Sequence, residues 1–486
     1  MMTILATLLS GLLWLGGTGL HPVPALTWLA PLPLVLASMR VRPRTALCAT
    51  ALAWSIGQVG VLGYYLGTLR LPVPVVVGVV LLGVGLATGT ILLARVLLLR
   101  GRTVLAVLAV PSLWVLGEYA ASRLLPHGAW WSLAYTQADV RPVVQLTSLT
   151  GVWGVTYLLL AVPIALAALR RSPRPALTCL LVLLLGAGGW SAWSLSRSSD
   201  PAEPLTVGLV ALRQPEDGLP IDEPTGRDLL ARYAARVEGL VARGARIVVL
   251  PEKVFAVSDT TMPVLVAALR QTEAQVIVGV VRQRADGASN VALVLEPGGT
   301  VATYEKQHLI PGLEDWLTPG DGEVLVDGRF GVAICKDLDY PGLVRRYRAQ
   351  GASVLLVPGL DFTSDGWLHG RMALVRGVEN GLVVVRAAAF GRLTVTDAGG
   401  RMVGEATAGD AELLLATPTS GWGTVYSRTG DWFALLSVAL LVLAVGGARW
   451  WSATSGSSVG HDARSYESPG HQELLRRIVA WLRHDS

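Results

Sequence analysis

The sequence predicts a polytopic α-helical membrane region joined to an extracytoplasmic α/β domain, and three observations carry the prediction. Eight stretches approach the roughly 20 apolar residues that a bilayer core takes per helix. Charge is concentrated in the middle of the chain, and arginines crowd alternate loops between the apolar stretches. Of 486 residues 52% are hydrophobic and only 15% charged, against about 25% charged in an ordinary soluble domain. Residues 1–195 hold 14 charged side chains, 196–430 hold 51 and 431–486 hold 10, with net charges of +10, −5 and 0. This distribution excludes a disordered or fibrous chain. The overall +5 describes no single surface, so it gives no support for a nucleic-acid partner.

The apolar stretches run over 3–19, 22–39, 45–69, 71–94, 103–122, 143–169 and 175–195, with an eighth over 432–447. They predict a seven-helix membrane region over 1–195, a folded domain over 196–430, a C-terminal transmembrane helix over 431–450 and a tail over 451–486. Arg40, Arg42 and Arg44 occupy one loop, while Arg95, Arg100 and Arg102 flank a second and Arg170, Arg171 and Arg174 a third. The alternate loops hold only Arg70, Arg123 and Arg141. Positive charge marks the cytoplasmic side, so the large polar domain is expected outside and both termini inside. Met1 to Ser10 carries no lysine or arginine, so the first stretch is expected to be a retained helix rather than a cleaved leader. Few charges fall within the helices, which argues against an ion-transport path.

Ser194 to Pro204, rich in serine, proline and charge, reads as the exit from the membrane. Beyond it, short β-branched runs at Leu205–Val210, Ile247–Leu250, Val276–Val281, Val291–Leu295, Val332–Ile334, Val354–Val357 and Leu382–Val385 predict strands. Between Arg227 and Arg243 the apolar residues recur at helical spacing. Pro297-Gly-Gly299 and Ala398-Gly-Gly400 read as hairpin turns. The stretch Glu473 to Arg483 has the pattern of a short amphipathic helix on a membrane surface.

Three cysteines are too few for a disulfide scaffold, and Cys335 is alone in the polar middle. Of 40 basic residues only Lys253, Lys306 and Lys336 are lysine. Arginine stays protonated and lysine need not, so retained lysines mark places that arginine does not serve. Glu252 ends one strand signal, Lys306 follows another and Cys335 ends a third. Strand ends in α/β domains bring distant residues to one cavity. A thiol, a carboxylate and an ammonium so placed are equipped to attack an acyl carbon, move its proton and stabilise the oxyanion. The competing reading is a buried small residue, a capping glutamate and a surface lysine. The seven histidines show no metal-ligand spacing, so neither metal nor cofactor is expected.

The stretches Leu250-Pro-Glu252, Tyr304-Glu-Lys306-Gln-His-Leu309 and Ile334-Cys335-Lys-Asp337 resemble the Glu-Lys-Cys signature of the carbon-nitrogen hydrolase (nitrilase) superfamily. With the helices included, nearly all of residues 1–450 is similar to the apolipoprotein N-acyltransferase family. Trp130-Trp-Ser-Leu-Ala-Tyr135-Thr-Gln, Gly151-Val-Trp-Gly154, Asp365-Gly-Trp367, Arg376-Gly-Val-Glu379-Asn and Tyr426-Ser-Arg-Thr-Gly-Asp-Trp-Phe433 carry that narrower likeness. It implies an αββα sandwich and an acyl thioester on Cys335, with Glu252 as base and Lys306 as oxyanion donor. It further implies Glu314 supporting Lys306, a phospholipid acyl donor, and a diacylated lipoprotein whose N-terminal amine accepts the acyl chain at the cell membrane. Asp337 is expected to keep a carboxylate near the thiol, Trp130, Trp131 and Tyr135 to sit at the interface, and Trp367, Trp316 and Tyr340 to line the mouth. Three departures stand out. Lys336 and Asp337 follow the cysteine where the family has an aromatic and then glutamate, Gly381-Leu382 replaces a helix end that usually carries a cation, and Ala211-Leu-Arg-Gln214-Pro replaces a Gln-Gly-Asn. They keep open a membrane-anchored amidase of other substrate, or a non-catalytic lipid-binding relative.

Overall fold

In the computed structural model, residues 1–197, 204–299 and 301–455 are described, with side chains up to residue 443. Most of the Ser194–Pro204 link and the whole Glu473–Arg483 stretch lie outside the described residues. Met1–Leu441 pack as one unit.

Helices form at all eight apolar stretches. Those of the first seven are α1 (Met2–Gly17), α2 (Pro24–Leu29), α3 (Pro31–Ser38), α4 (Pro43–Gly63), α5 (Val73–Leu99), α6 (Thr103–Leu124), α7 (Arg141–Val144), α8 (Thr147–Thr150), α9 (Val152–Ala168) and α10 (Pro173–Ser196). Among the described residues four helices are long and apolar enough to cross a membrane: Pro43–Thr68, Val73–Leu99, Thr103–Leu124 and Pro173–Ser196. Two of the predicted spans are interrupted, and the sequence shows why. Pro31 lacks the N–H that a continuous helix needs, and the stretch over 22–39 divides there into α2 and α3. Gly151 adopts φ +65°, a conformation open to glycine, and the chain turns by 120° between Arg141–Thr150 and α9. Counted as one, that bent pair is a fifth span. On α10, Leu177, Leu181, Val182, Leu184 and Leu185 are all exposed, an apolar face larger than water-soluble surfaces carry.

The polar middle folds into two sheets. Strands β1 (Leu205–Ala211), β2 (Leu219–Pro220), β3 (Ile247–Val249), β4 (Phe255–Val257), β5 (Gln275–Arg284), β6 (Gly287–Leu295), β7 (Val301–Glu305) and β14 (Ala411–Thr417) form the first. The second runs β13-β12-β11-β10-β9-β8, built from β8 (Val324–Val326), β9 (Phe330–Val332), β10 (Val354–Gly359), β11 (Val383–Ala388), β12 (Arg392–Thr396) and β13 (Met402–Thr407). Each has a parallel centre, β1-β3-β5 and β9-β10-β11. Along β5, Ile277 packs between the sheets while Val276, Val278 and Val280 pack outward, the period-two alternation of a strand buried on both faces. Outside the first sheet lie α11 (Pro224–Ala242) and α12 (Met262–Leu269), through Tyr233, Val237, Leu240 and Leu265. Outside the second lie α13 (Pro341–Ala349) and α14 (Gly366–Asn380), with Leu343, Tyr347 and Ala373 against Leu355 and Val357. This is the αββα sandwich that the resemblance implied. The chain then passes through α15 (Val425–Thr429) into α16 (Trp432–Ser455).

Buried polar contacts join the sandwich to the helices. Arg376 of α14 binds Glu379 and the Tyr135 hydroxyl, and Glu379 accepts the Val152 N–H at 2.9 Å. The Tyr64 hydroxyl donates to Asp365 at 2.6 Å, and Trp153 Nε1 donates to Asp431 at 2.9 Å.

Candidate active site

The parallel strands end on one side, and the chemistry gathers there. Glu252 lies three residues beyond β3, Lys306 directly after β7, Cys335 three residues beyond β9, and Asp361 two beyond β10. Three of the six described non-glycine residues with positive φ are at this place: Lys253 at 50°, Cys335 at 42° and Asp361 at 58°. Such conformations cost on the order of 1 kcal/mol or more each, and they persist where the surroundings impose them. Gly279 makes the approach of Glu252 feasible, since a Cβ there would collide with the Glu252 backbone. Its N–H donates instead to the Pro251 carbonyl at 3.0 Å.

All three lysines of the chain are buried at this site, Lys306 completely and Lys253 and Lys336 nearly so. Lys306 Nζ donates to Glu252 Oε1 at 2.8 Å and to the Glu314 oxygens at 2.8 and 3.1 Å. Asn290 Nδ2 bridges the same carboxylates at 2.7 and 3.1 Å, and Lys253 Nζ lies 3.5 Å from Glu314. Burial alone would lower the Lys306 pKa, but Glu252 and Glu314 outweigh it and push it up, so the ammonium stays charged. Burial would raise the Glu314 carboxyl, yet Lys306 and Lys253 hold it below the usual range. Glu252 Oε2 is buried with no hydrogen-bond partner, leaving one carboxylate oxygen available for a proton. Burial and the Glu252 carboxylate push the Cys335 thiol up. The resting sulfur is therefore a thiol, and its proton must be removed for attack.

A second charged group meets the thiol from the other sheet. Asp361 Oδ1 lies 3.9 Å from Cys335 Sγ. Arg386 of β11 holds that carboxylate with both arms, one at 2.8 Å. His369 of α14 places Nδ1 3.0 Å from Asp361 Oδ1, and its Nε2 faces the Trp130 indole N–H at 3.2 Å. Burial alone would raise Asp361, but Arg386 and His369 outweigh it and hold the carboxyl below the usual range. Asp361, His369 and Arg386 were not legible as site residues. The one available signal was the arginine in the apolar run Val383-Val-Val-Arg386-Ala-Ala, because a charge on a buried strand demands a partner. Cys335, Asp361 and His369 have ligand atoms within 4.8 Å of one another, but the two-armed Arg386 contact already satisfies Asp361.

Beside the thiol is a partly open pocket, walled by Tyr64, Tyr65, Val79, Trp130, Trp131 and Phe362 among others. It is almost wholly apolar, with Cys335, Lys336, Asp339, His127 and His369 as its polar spots. Gly128, at φ +53°, presses the Trp130 loop onto the turn that carries Cys335, and Ala129 N donates to Asp339 O at 2.7 Å.

Asp337 anchors the turn that carries Cys335: it accepts from the Tyr304 hydroxyl at 2.7 Å, from Ile334 N at 3.0 Å and from His308 N at 3.0 Å. Tyr135 is buried, with its hydroxyl against Arg376. Trp367 packs with the helical region 5.9 Å from His21 and is not part of the thiol cavity. Trp316 is exposed, and Tyr340 stacks on His308 at 3.5 Å. Lys336, from the unusual pair after the cysteine, reaches Asp339 at 3.1 Å in the cavity wall.

Comparison with known proteins matches both halves. Residues 10–165 match the family described as apolipoprotein N-acyltransferase N-terminal domain, and residues 209–425 match carbon-nitrogen hydrolase. The chain is 27% identical to the apolipoprotein N-acyltransferase of Geobacter metallireducens, over 86% of this chain and 89% of that one. It is 28% identical to that of Gloeobacter violaceus, over 68% and 69%. Among solved structures, Saccharomyces cerevisiae Nit3, a member of branch 10 of the nitrilase superfamily, is 22% identical with a TM-score of 0.39, covering 46% of this chain and 92% of that chain. With the helical half and the hydrolase half matched in tandem, the chain belongs to the apolipoprotein N-acyltransferase family.

Proposed function

We propose that the chain transfers an acyl group from a membrane phospholipid, through a thioester on Cys335, to the N-terminal amino group of diacylglyceryl-cysteine in a lipoprotein. The observation that carries this reading is the thiol's position, with an apolar cavity on one side and the Glu252–Lys306–Glu314 cluster on another. An acyl chain fills such a cavity, and the ester carbonyl then lies at the sulfur. The free Glu252 oxygen takes the thiol proton, the thiolate attacks, and the Lys306 ammonium meets the oxyanion, a contribution on the order of 3 kcal/mol. Loss of the lysophospholipid leaves the thioester, and the amine then displaces the sulfur in a ping-pong sequence.

In this reading all eight apolar stretches are membrane helices, residues 1–195 and 431–450 form the membrane part, and 196–430 face the extracytoplasmic side. The tail over 451–486 is cytoplasmic. Both substrates carry acyl chains, so a site at the outer interface meets them without extracting lipid. Incubation of the full chain with phospholipid and a diacylated lipopeptide tests the function. Triacylated peptide supports the transferase, whereas free fatty acid without triacyl product identifies a hydrolase.

A further inference from the structure

Glu252, beyond β3 of the first sheet, and His369, on α14 outside the second, both face the Cys335 thiol, but only His369 lines the cavity. The cavity wall includes Cys335 and His369 and neither Glu252 nor Lys306. An ester bound with its carbonyl at Cys335 therefore meets His369, and not Glu252, at the cavity wall. His369 is also built as an acid/base group. Asp361 fixes Nδ1 at 3.0 Å, and Arg386 fixes Asp361 in turn. This is the arrangement in which a carboxylate orients an imidazole for proton transfer at its other nitrogen. Nε2 faces Trp130 Nε1 at 3.2 Å and Asp365 Oδ2 at 3.9 Å, and Asp365 is itself held by Tyr64. The Trp130 contact is a hydrogen bond only when Nε2 carries no proton, whereas the Asp365 contact favours a protonated ring. Two neighbours suited to the two states make Nε2 a place where a proton can be held and released.

We propose that His369 carries the proton for the substrate atoms, giving it to the departing glycerol oxygen and taking it from the entering amine, while Glu252 serves only the sulfur. In the first half, the thiol proton moves to Glu252 and the C–S bond forms. The C–O bond then breaks as the imidazolium protonates the leaving oxygen. The thioester state holds a protonated Glu252 and a neutral His369. In the second half, the neutral amine adds to the thioester carbonyl and yields one proton to His369, the C–S bond breaks, and the sulfur recovers its proton from Glu252. The cycle closes with an amide and an alcohol formed from an ester and an amine.

The inference rests on the transferase reading above, and the experiment separates the two. The full chain in detergent is acylated either by a dipalmitoyl phospholipid or by p-nitrophenyl palmitate, whose phenolate leaves without a proton, and the Cys335 adduct is timed by intact mass. His369→Gln slows acylation by the phospholipid about a hundredfold and acylation by the aryl ester less than about threefold, the pattern of a lost general acid. Glu252→Gln slows both. As a second variant, His369→Ala regains phospholipid acylation when free imidazole is added. Equal losses with both donors in His369→Gln, no loss with the phospholipid, or no imidazole rescue overturns the proposal. Wild-type protein that takes no acyl group from phospholipid overturns the transferase reading instead.

Discussion

Replacing Lys306 by methionine separates two tasks that the wild-type ammonium performs together. Nζ is completely buried, 2.8 Å from Glu252 and 2.8 Å from Glu314, whose side chains are each about 1% exposed. Without it, two buried carboxylates share the Asn290 amide and the Lys253 ammonium, which is 3.5 Å from Glu314. Leaving a buried charge uncompensated costs about 3–5 kcal/mol. Adding Glu314→Gln removes one of the two anions while keeping the side chain's volume, and is expected to restore about 2 kcal/mol of that loss. Acylation behaves differently: loss of the oxyanion donor lowers it by about 10²–10³-fold, and the second substitution restores none of it. Unfolding of both variants in detergent measures the first effect, and the rate of adduct formation on Cys335 measures the second. A double variant no more stable than Lys306→Met refutes the repulsion argument. One that regains acylation shows that Lys306 acts only by balancing charge.

Other substitutions test the surrounding groups. Because burial and Glu252 favour the neutral thiol, alkylation of Cys335 by iodoacetamide is slow at neutral pH and continues to rise above the titration range of an ordinary thiol, near pH 8.5. A plateau at that ordinary value contradicts the assignment. Arg386→Met strands the Asp361 carboxylate and costs about 3–5 kcal/mol near neutral pH. The wild-type Asp361 carboxyl is depressed, so its stabilisation is fully present above the unfolded value of about 3.9 and fades as pH falls through the folded one. The gap between wild type and Arg386→Met in unfolding experiments therefore narrows in acid, and a constant gap rejects the ion-pair account. Asp337→Asn weakens the contacts with Tyr304, His308 and Ile334 and lowers stability by about 1–3 kcal/mol. Adduct formation survives, because Glu252, Lys306 and Cys335 keep their own supports, and its complete loss would place Asp337 in the chemistry.

Long-range hydropathy and strand-end positions were the readable parts of the chain. Helices form at every apolar stretch, because twenty consecutive apolar residues leave little choice of partner. Whether each runs straight depends on single residues, and Pro31 and Gly151 break two of them. The strand signals at Ile247, Val276 and Val354 were clear because both sheet faces are buried there and the runs are continuous. Short strands such as β2 and β4 gave no periodicity to detect, and the return of β14 beside β1 is a long-range pairing that no local pattern announces. Glu252, Lys306 and Cys335 were visible because rare residue types stood at strand ends. His369 was not, since a lone histidine on an amphipathic helix looks like any other polar position until Asp361 and Cys335 are seen beside it. The Arg376 contact of Tyr135 was hidden for a related reason: an aromatic near a helix end suits both an interfacial belt and a buried partner for an arginine.

The central claim is that the thiol of Cys335 carries the acyl group. Intact-mass measurement of the full chain after incubation with a phospholipid of defined acyl length, followed by mapping of the modified peptide, tests it directly. The account predicts one added acyl group on Cys335, labile to hydroxylamine as a thioester is, absent in Cys335→Ser, and discharged when diacylated lipopeptide is added. An acyl group on any other residue, or triacylated product formed by Cys335→Ser, would contradict it.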